Sequence, residues 1–249
     1  MTIRFDPFIV TAFLLALTRA TAWLFISPPF NTRLVPVGVK TGLAAALALA
    51  AAPHIADTHM SLATAPFVGA LLTQVVVGVT LGMLTLILVN ALTAAGSLID
   101  IFAGYSLAML YDPLSDHQAS VFGRLYQLIA ATLLFTTNAH MILVNGFYRS
   151  FDAVPASGLA MGDIAKVLTD NVSVFFVAAI EVAGPVIACL FLSELTLGLL
   201  ARAAPSLNVF SLAFPLRVGV ALLVVAIALP LIAPALDNLV RNAVQPFGG

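Results

Sequence analysis

Residues Thr58–Ile99 read THMSLATAPFVGALLTQVVVGVTLGMLTLILVNALTAAGSLI, 42 residues without Asp, Glu, Lys or Arg. About 20 helical residues cross the hydrocarbon of a bilayer. A stretch this long and this apolar predicts a helical integral membrane protein. As one straight helix it would reach roughly 60 Å, about twice the hydrocarbon thickness. It is therefore expected to bend back on itself, or to leave the bilayer while still covered by protein. Pro66, Asn90 and Gly96 are the expected points of punctuation.

Composition extends that reading to the whole chain of 249 residues, 61% hydrophobic and only 8% charged, with a mean hydropathy of +1.11. Soluble domains carry about a quarter charged residues, so lipid must solvate part of this surface. The net charge is −1, and basic residues are scattered thinly between Arg4 and Arg241. Without a basic stripe or tail, nucleic acid is not an expected partner. Cys189, the single cysteine, sits in an apolar run, which excludes an intrachain disulfide and a thiolate metal site.

Outward from the central block, apolar runs alternate with turn chemistry. Pro7–Ile26 is a first membrane helix ending at Ser27-Pro28-Pro29, where prolines stop helical geometry. It mimics a cleavable leader. Asp6, Arg19 and the apolar sequence resuming at Trp23 argue against cleavage. Val37–Ala52 is a second run, ended by Pro53. Gly104–Gly123 reads as an irregular loop around Asp112-Pro113 and Ser115-Asp116. Arg124–Phe147 is another apolar helix, with Asn138 and His140 near its end. Arg149–Asp170 is the most polar connector, and long runs follow over Asn171–Leu200 and Phe210–Leu236. The expectation is one membrane domain over residues 1–249 with five to seven apolar helical segments. The basic-loop rule puts Arg33 and Lys40 in the cytoplasm and the acidic 100–116 region outside. It then strands Arg202 outside if 171–200 crosses once, so the topology stays open.

Three groups of residues stand out. Gly78 and Gly82, like Gly38 and Gly42, form G-x-x-x-G, and Gly69, Gly96 and Gly104 add to them. In lipid, close backbone contact through small residues supplies helix packing, either within the chain or against other subunits. Arg19, Glu181, Glu194 and Arg217 are charges inside apolar runs. Each costs at least about 2.5–3.5 kcal/mol at the bilayer centre, so each should be paired or face water. An ion pair of Glu181 or Glu194 with Arg217 is the plainer expectation, and a proton or substrate path the sharper one. Gly184-Pro185, Pro215, Pro230 and Pro234 are expected to bend helices and free carbonyls. Transporters, channel walls and packed membrane assemblies all use such helices.

Enzymatic motifs are missing. The chain has no Gly-rich phosphate loop with Lys-Ser/Thr, no H-E-x-x-H and no G-x-S-x-G elbow. His54, Asp57 and His59 are a poor metal template, and Asn138 and His140 read as hydrogen-bonding residues at a helix end. Neither catalysis nor a cofactor is expected.

Taken in order, these segments resemble a known family. GVTLGMLTLILVNALTAAGSLIDIFAGYSLAMLYDP, residues 78–113, with Gly78, Gly82, Gly96, Gly104 and Asp112-Pro113, is similar to the core of FliR, a membrane component of the flagellar type III export gate. TTNAH at 136–140, then Ser150 and Pro155, resembles that family's Asn-Gly-His region, with Ala139 where the family has glycine. Arg202, Pro205, Asn208 and Phe210 match its Arg-x-x-Pro-x-x-Asn-x-Phe, followed by FPLRVGV. SPPFNTRLVPVGVKTGLAAALALA near the start matches as well.

The resemblance implies an all-α membrane subunit of bent, proline-broken helical hairpins, packed in a hetero-oligomeric gate in the bacterial inner membrane at the flagellar basal body. The implied partners are FliP-like and FliQ-like gate subunits, FlhA-like and FlhB-like export components, rod proteins and unfolded flagellar export substrates. It also implies a plug in Gly104–Gly123, with Leu107, Met109, Leu110, Tyr111, Asp112, Pro113 and Leu114 in the obstructing loop. Hydrophobic constrictions do gate pores. The injectisome subunit of virulence type III secretion is the nearest alternative. A small-molecule transporter using Glu181, Glu194 and Arg217 is a rival of a different class.

Overall fold

The computed structural model describes residues 7–28, 30–32, 35–56, 64–105, 120–153, 161–204, 206 and 208–244. Its described residues form seven α-helices: α1 (Pro7–Ile26), α2 (Val37–Ala56), α3 (Thr64–Ala103), α4 (Val121–Thr136), α5 (Ala139–Ala153), α6 (Met161–Ala203) and α7 (Val209–Val244). Among them four are long and apolar enough to cross a membrane, in α1, α3, α6 and α7. A fifth span results if the broken pair α4 and α5 is counted as one. The protein is an all-α integral membrane protein.

The central block is one uninterrupted helix. α3 runs for 40 residues, so it neither folds back on itself nor breaks at Asn90 or Gly96, as its length had suggested. Pro66 lies in its first turn, where its missing N–H interrupts no helical bond. In its apolar centre α3 is more buried within the chain than the other long helices: 61% of an 18-residue stretch, against 28% for α6 and 22% for α7.

Of the prolines inside α2, α6 and α7, only Pro53 departs from expectation, since it was expected to end its apolar run. Pro53 lies inside α2, Pro185 inside the 43-residue α6, and Pro215, Pro230 and Pro234 inside α7. Each deprives the carbonyl four residues earlier of its ladder donor without ending the helix. The break falls instead at Thr137-Asn138, within the run expected to be one helix. Asn138 adopts φ 59°, a left-handed conformation that Asn tolerates better than most residues. The polar connector is shorter than its composition suggested, because α5 continues to Ala153 and α6 begins at Met161.

The chain divides into two compact units. One comprises residues 1–87, 139–172 and 240–249, the other 88–138 and 173–239. In the first, α1 packs along α2 through the small side chains Ala16, Ala48 and Ala51, flanked by Phe13, Leu17, Ile55, Tyr148 and Phe151. The Trp23 and Phe147 rings stack at 5.1 Å, and Trp23 Nε1 donates to Thr85 Oγ1 at 3.4 Å. Gly78 and Gly82 let α3 approach α1. A Cβ on Gly78 would meet Arg19 O at 2.5 Å and Ala22 Cβ at 2.7 Å, and one on Gly82 would meet Ile26 Cβ at 2.7 Å.

In the second unit the buried positions recur every three or four residues: Leu88, Leu92, Ala95 and Ile99 on α3, and Phe122, Tyr126, Ala130 and Leu134 on α4. α6 and α7 each bury a narrow stripe as well: Ala179, Ala183, Val186 and Leu190 on one, Ala221, Val225, Ala228, Ile232 and Leu236 on the other. Much of the rest of both helices is exposed leucine, isoleucine and phenylalanine.

Candidate functional site

The second unit gathers polar groups around the two ends of the 106–119 connection. α3 ends at Ala103, and Gly104 follows with φ +86°, the left-handed residue that commonly terminates helices. Its N–H donates to Ile101 O at 3.2 Å. A Cβ here would have room, with Arg217 Nη1 at 3.7 Å as its nearest neighbour. Gly104 is thus needed for its backbone, not for the packing role its spacing suggested. Tyr105 then lies edge-on to Phe122 at 5.9 Å and to Phe214 at 5.8 Å.

At the far end, Ser120 caps α4, its Oγ accepting from Gly123 N at 2.8 Å. Asp100, only 4% exposed, reaches the same turn from α3. Its carboxylate accepts from Ser120 Oγ, from Phe122 N at 3.1 Å and from Gly123 N at 3.3 Å. A helix N-terminus favours such a charge, since its first N–H groups lack intrahelical partners. Gly96 closes the contact, because a Cβ there would collide with the Phe122 carbonyl.

Beside this neck, Arg217 on α7 pairs with Glu194 on α6, Nη2 to Oε1 at 2.7 Å. The side chains are 22% and 58% exposed, and Arg217 Nε is buried without a partner among the described residues. Glu181 is exposed on α6 and is not part of this pair. The fourth charge within an apolar helix, Arg19, belongs to the first unit and is fully buried. Its Nε donates to Gln74 Oε1 at 2.6 Å and its Nη1 to Ser150 Oγ at 2.9 Å. The guanidinium also lies 4.0 Å from the centroid of the Phe151 ring.

Asn208 Oδ1 accepts from Ser211 N at 3.3 Å, which makes it the N-cap of α7, while Arg202 is exposed in the last turn of α6. Pro205, the side chain of Phe210, and the loop residues Leu107, Met109, Leu110, Tyr111, Asp112, Pro113 and Leu114 lie outside the described residues. So do Asp57 and His59.

Asp100, Ser120 and Gln74 were not singled out by sequence reasoning, and Ser150 was singled out only as a position of the family resemblance. Ser120, a hydroxyl just before an apolar run, carries a helix-start signal. The others are partners defined only by tertiary contact.

The sequence profile described as bacterial export proteins, family 1, matches residues 10–243. The chain is 30% identical over 245 residues to the flagellar biosynthetic protein FliR of Bacillus subtilis (strain 168), covering 94% of this chain and 92% of that one. It belongs to the FliR family of bacterial export proteins. FliR of Escherichia coli (strain K12) is 31% identical over 224 residues, 90% of this chain and 86% of its own. The Yop proteins translocation protein T of Yersinia pestis is 28% identical over 218 residues, 86% and 84% of the two chains. As a FliR-family protein the chain is a component of a protein-export apparatus and not an enzyme.

Proposed function

We propose that this FliR-family chain is a subunit of the flagellar export gate. In this reading it forms part of the channel with FliP-like and FliQ-like subunits, through which unfolded flagellar proteins leave the cell. It sits in the inner membrane at the basal body, next to FlhA-like and FlhB-like components and rod proteins, and its 106–119 connection obstructs the resting channel.

One observation carries the reading. α6 and α7 are long apolar helices that bury little of themselves, yet they present Glu181 and the half-exposed Glu194–Arg217 pair. Lipid around a charge at such a position costs at least about 2.5–3.5 kcal/mol. Protein or a water-lined channel removes that cost. An assembly supplies both, and apolar flanks such as Leu192, Leu199, Leu223 and Ile227 then pack against neighbouring chains.

The flagellar names of the relatives at 30–31% identity support flagellar cargo. The translocation protein of Yersinia pestis, at 28%, supports an injectisome as the second reading. Deleting residues 106–120 tests the obstruction. The complex should still assemble while the membrane becomes permeable to small solutes, and an assembled complex without added leak would contradict it.

A further inference from the structure

We infer that Asp100 is a positioning residue for the connection between Tyr105 and Ser120, its buried carboxylate fixing where that connection leaves α3 and re-enters α4. The inference rests on the reading of this connection as the obstruction, and it assigns the groups that hold its two ends.

Three donors from one turn of α4 converge on the carboxylate: the Ser120 hydroxyl and the backbone N–H groups of Phe122 and Gly123. Ser120 Oγ is in turn 3.2 Å from Ser97 Oγ, one helical turn before the aspartate. Glycines on both sides allow a close approach of the two helices here. A Cβ on Gly96 would strike the Phe122 carbonyl, and one on Gly123 the Ser97 and Ser120 hydroxyls. Five residues beyond Asp100, Tyr105 leans on Phe122, the residue whose N–H the carboxylate holds.

The use of a charge is informative. An apolar contact between α3 and α4 would tolerate sliding by a turn. A buried carboxylate does not, because away from its donors it bears the full penalty of desolvation. Charge-assisted hydrogen bonds to backbone N–H groups act at one register only. The neighbouring apolar stripes, Leu92, Ala95 and Ile99 on α3 and Phe122, Tyr126 and Ala130 on α4, stabilise the helix pair without specifying that register.

The test uses the complex assembled with its partner subunits, with Cys189→Ser as background. In Ser97→Cys/Ser120→Cys, mild oxidation should form a disulfide quickly, since the hydroxyls replaced are 3.2 Å apart. Adding Asp100→Asn should slow that disulfide at least about tenfold. Separately, with Ser97 and Ser120 intact, Asp100→Asn should raise small-solute leak toward that of the 106–120 deletion while the complex still co-purifies.

Unchanged crosslinking with Asp100→Asn overturns the inference whatever the leak. A deletion that leaks beside an Asp100→Asn protein that stays sealed also overturns it, and leaves the obstruction reading standing. A deletion that stays sealed overturns the obstruction reading, and the crosslinking rate alone then decides whether Asp100 holds the register. If Asp100→Asn prevents assembly, Asp100→Glu carries both measurements. It keeps the charge and displaces the carboxylate by one methylene, and wild-type behaviour in both would overturn the inference.

Discussion

Gly38 and Gly78 look alike in sequence, each opening a G-x-x-x-G on an apolar helix, and the structure gives them opposite surroundings. Around Gly78 the backbone of α1 is in contact, whereas around Gly38 a Cβ would meet nothing within 4 Å. Gly78→Ala should therefore destabilise the protein by about 1–3 kcal/mol through overpacking. Gly38→Ala should leave it as stable, or stabilise it by up to about 1 kcal/mol, because alanine restricts the unfolded chain and favours helix. Thermal unfolding of the detergent-solubilised protein would show a lowered midpoint for Gly78→Ala and an unchanged or raised one for Gly38→Ala. Spacing alone showed that close approach was intended, but which helix does the approaching is a tertiary fact. The same holds for the charges. Arg19 was legible as a group that must be satisfied, but Gln74 and Ser150, 55 and 131 residues away, were not. For Arg217, Glu194 was one of two expected partners, and its place beside Gly104 was unforeseen.

At the scale of elements, apolar length was the reliable signal and punctuation the unreliable one. Every long apolar run is a helix, as its hydropathy required. Proline, however, did not end α6 or α7, since in an apolar setting unfolding a turn would expose more backbone polar groups than a proline leaves unbonded. Asn90 and Gly96 did not end α3 for the same reason. The break came at Asn138, through a positive φ that no hydrophobic pattern records. Asn138→Gly should preserve that break at a cost of no more than a few tenths of a kcal/mol, glycine being free in this region. Asn138→Val should cost about 1–2 kcal/mol, and unfolding temperatures of the two variants would separate them. If both behave alike, the left-handed turn is not what ends α4.

For the whole molecule, the fold class followed from apolar length and composition, and the family from the order of weak motifs along the chain, none decisive by itself. The site was only partly legible. Gly104 and the Asp112-Pro113 region marked the connection, but Asp100 was hidden as the first charge after a long apolar run. An exposed ion pair and Glu181 on apolar helices are costly for a protein alone in lipid and inexpensive for a subunit. The Glu194–Arg217 pair thus belongs to the account at this scale, where reversing one charge leaves two like charges side by side.

The most direct measurement is co-purification of the chain with FliP-like and FliQ-like subunits, for the wild type, Glu194→Arg, Arg217→Glu and the double reversal. A gate subunit should give a stable complex for the wild type, loss of partner recovery in each single reversal, and restoration in the double. A chain that purifies alone as a stable, monodisperse species, retains no partner subunits and is indifferent to either reversal would contradict the gate reading.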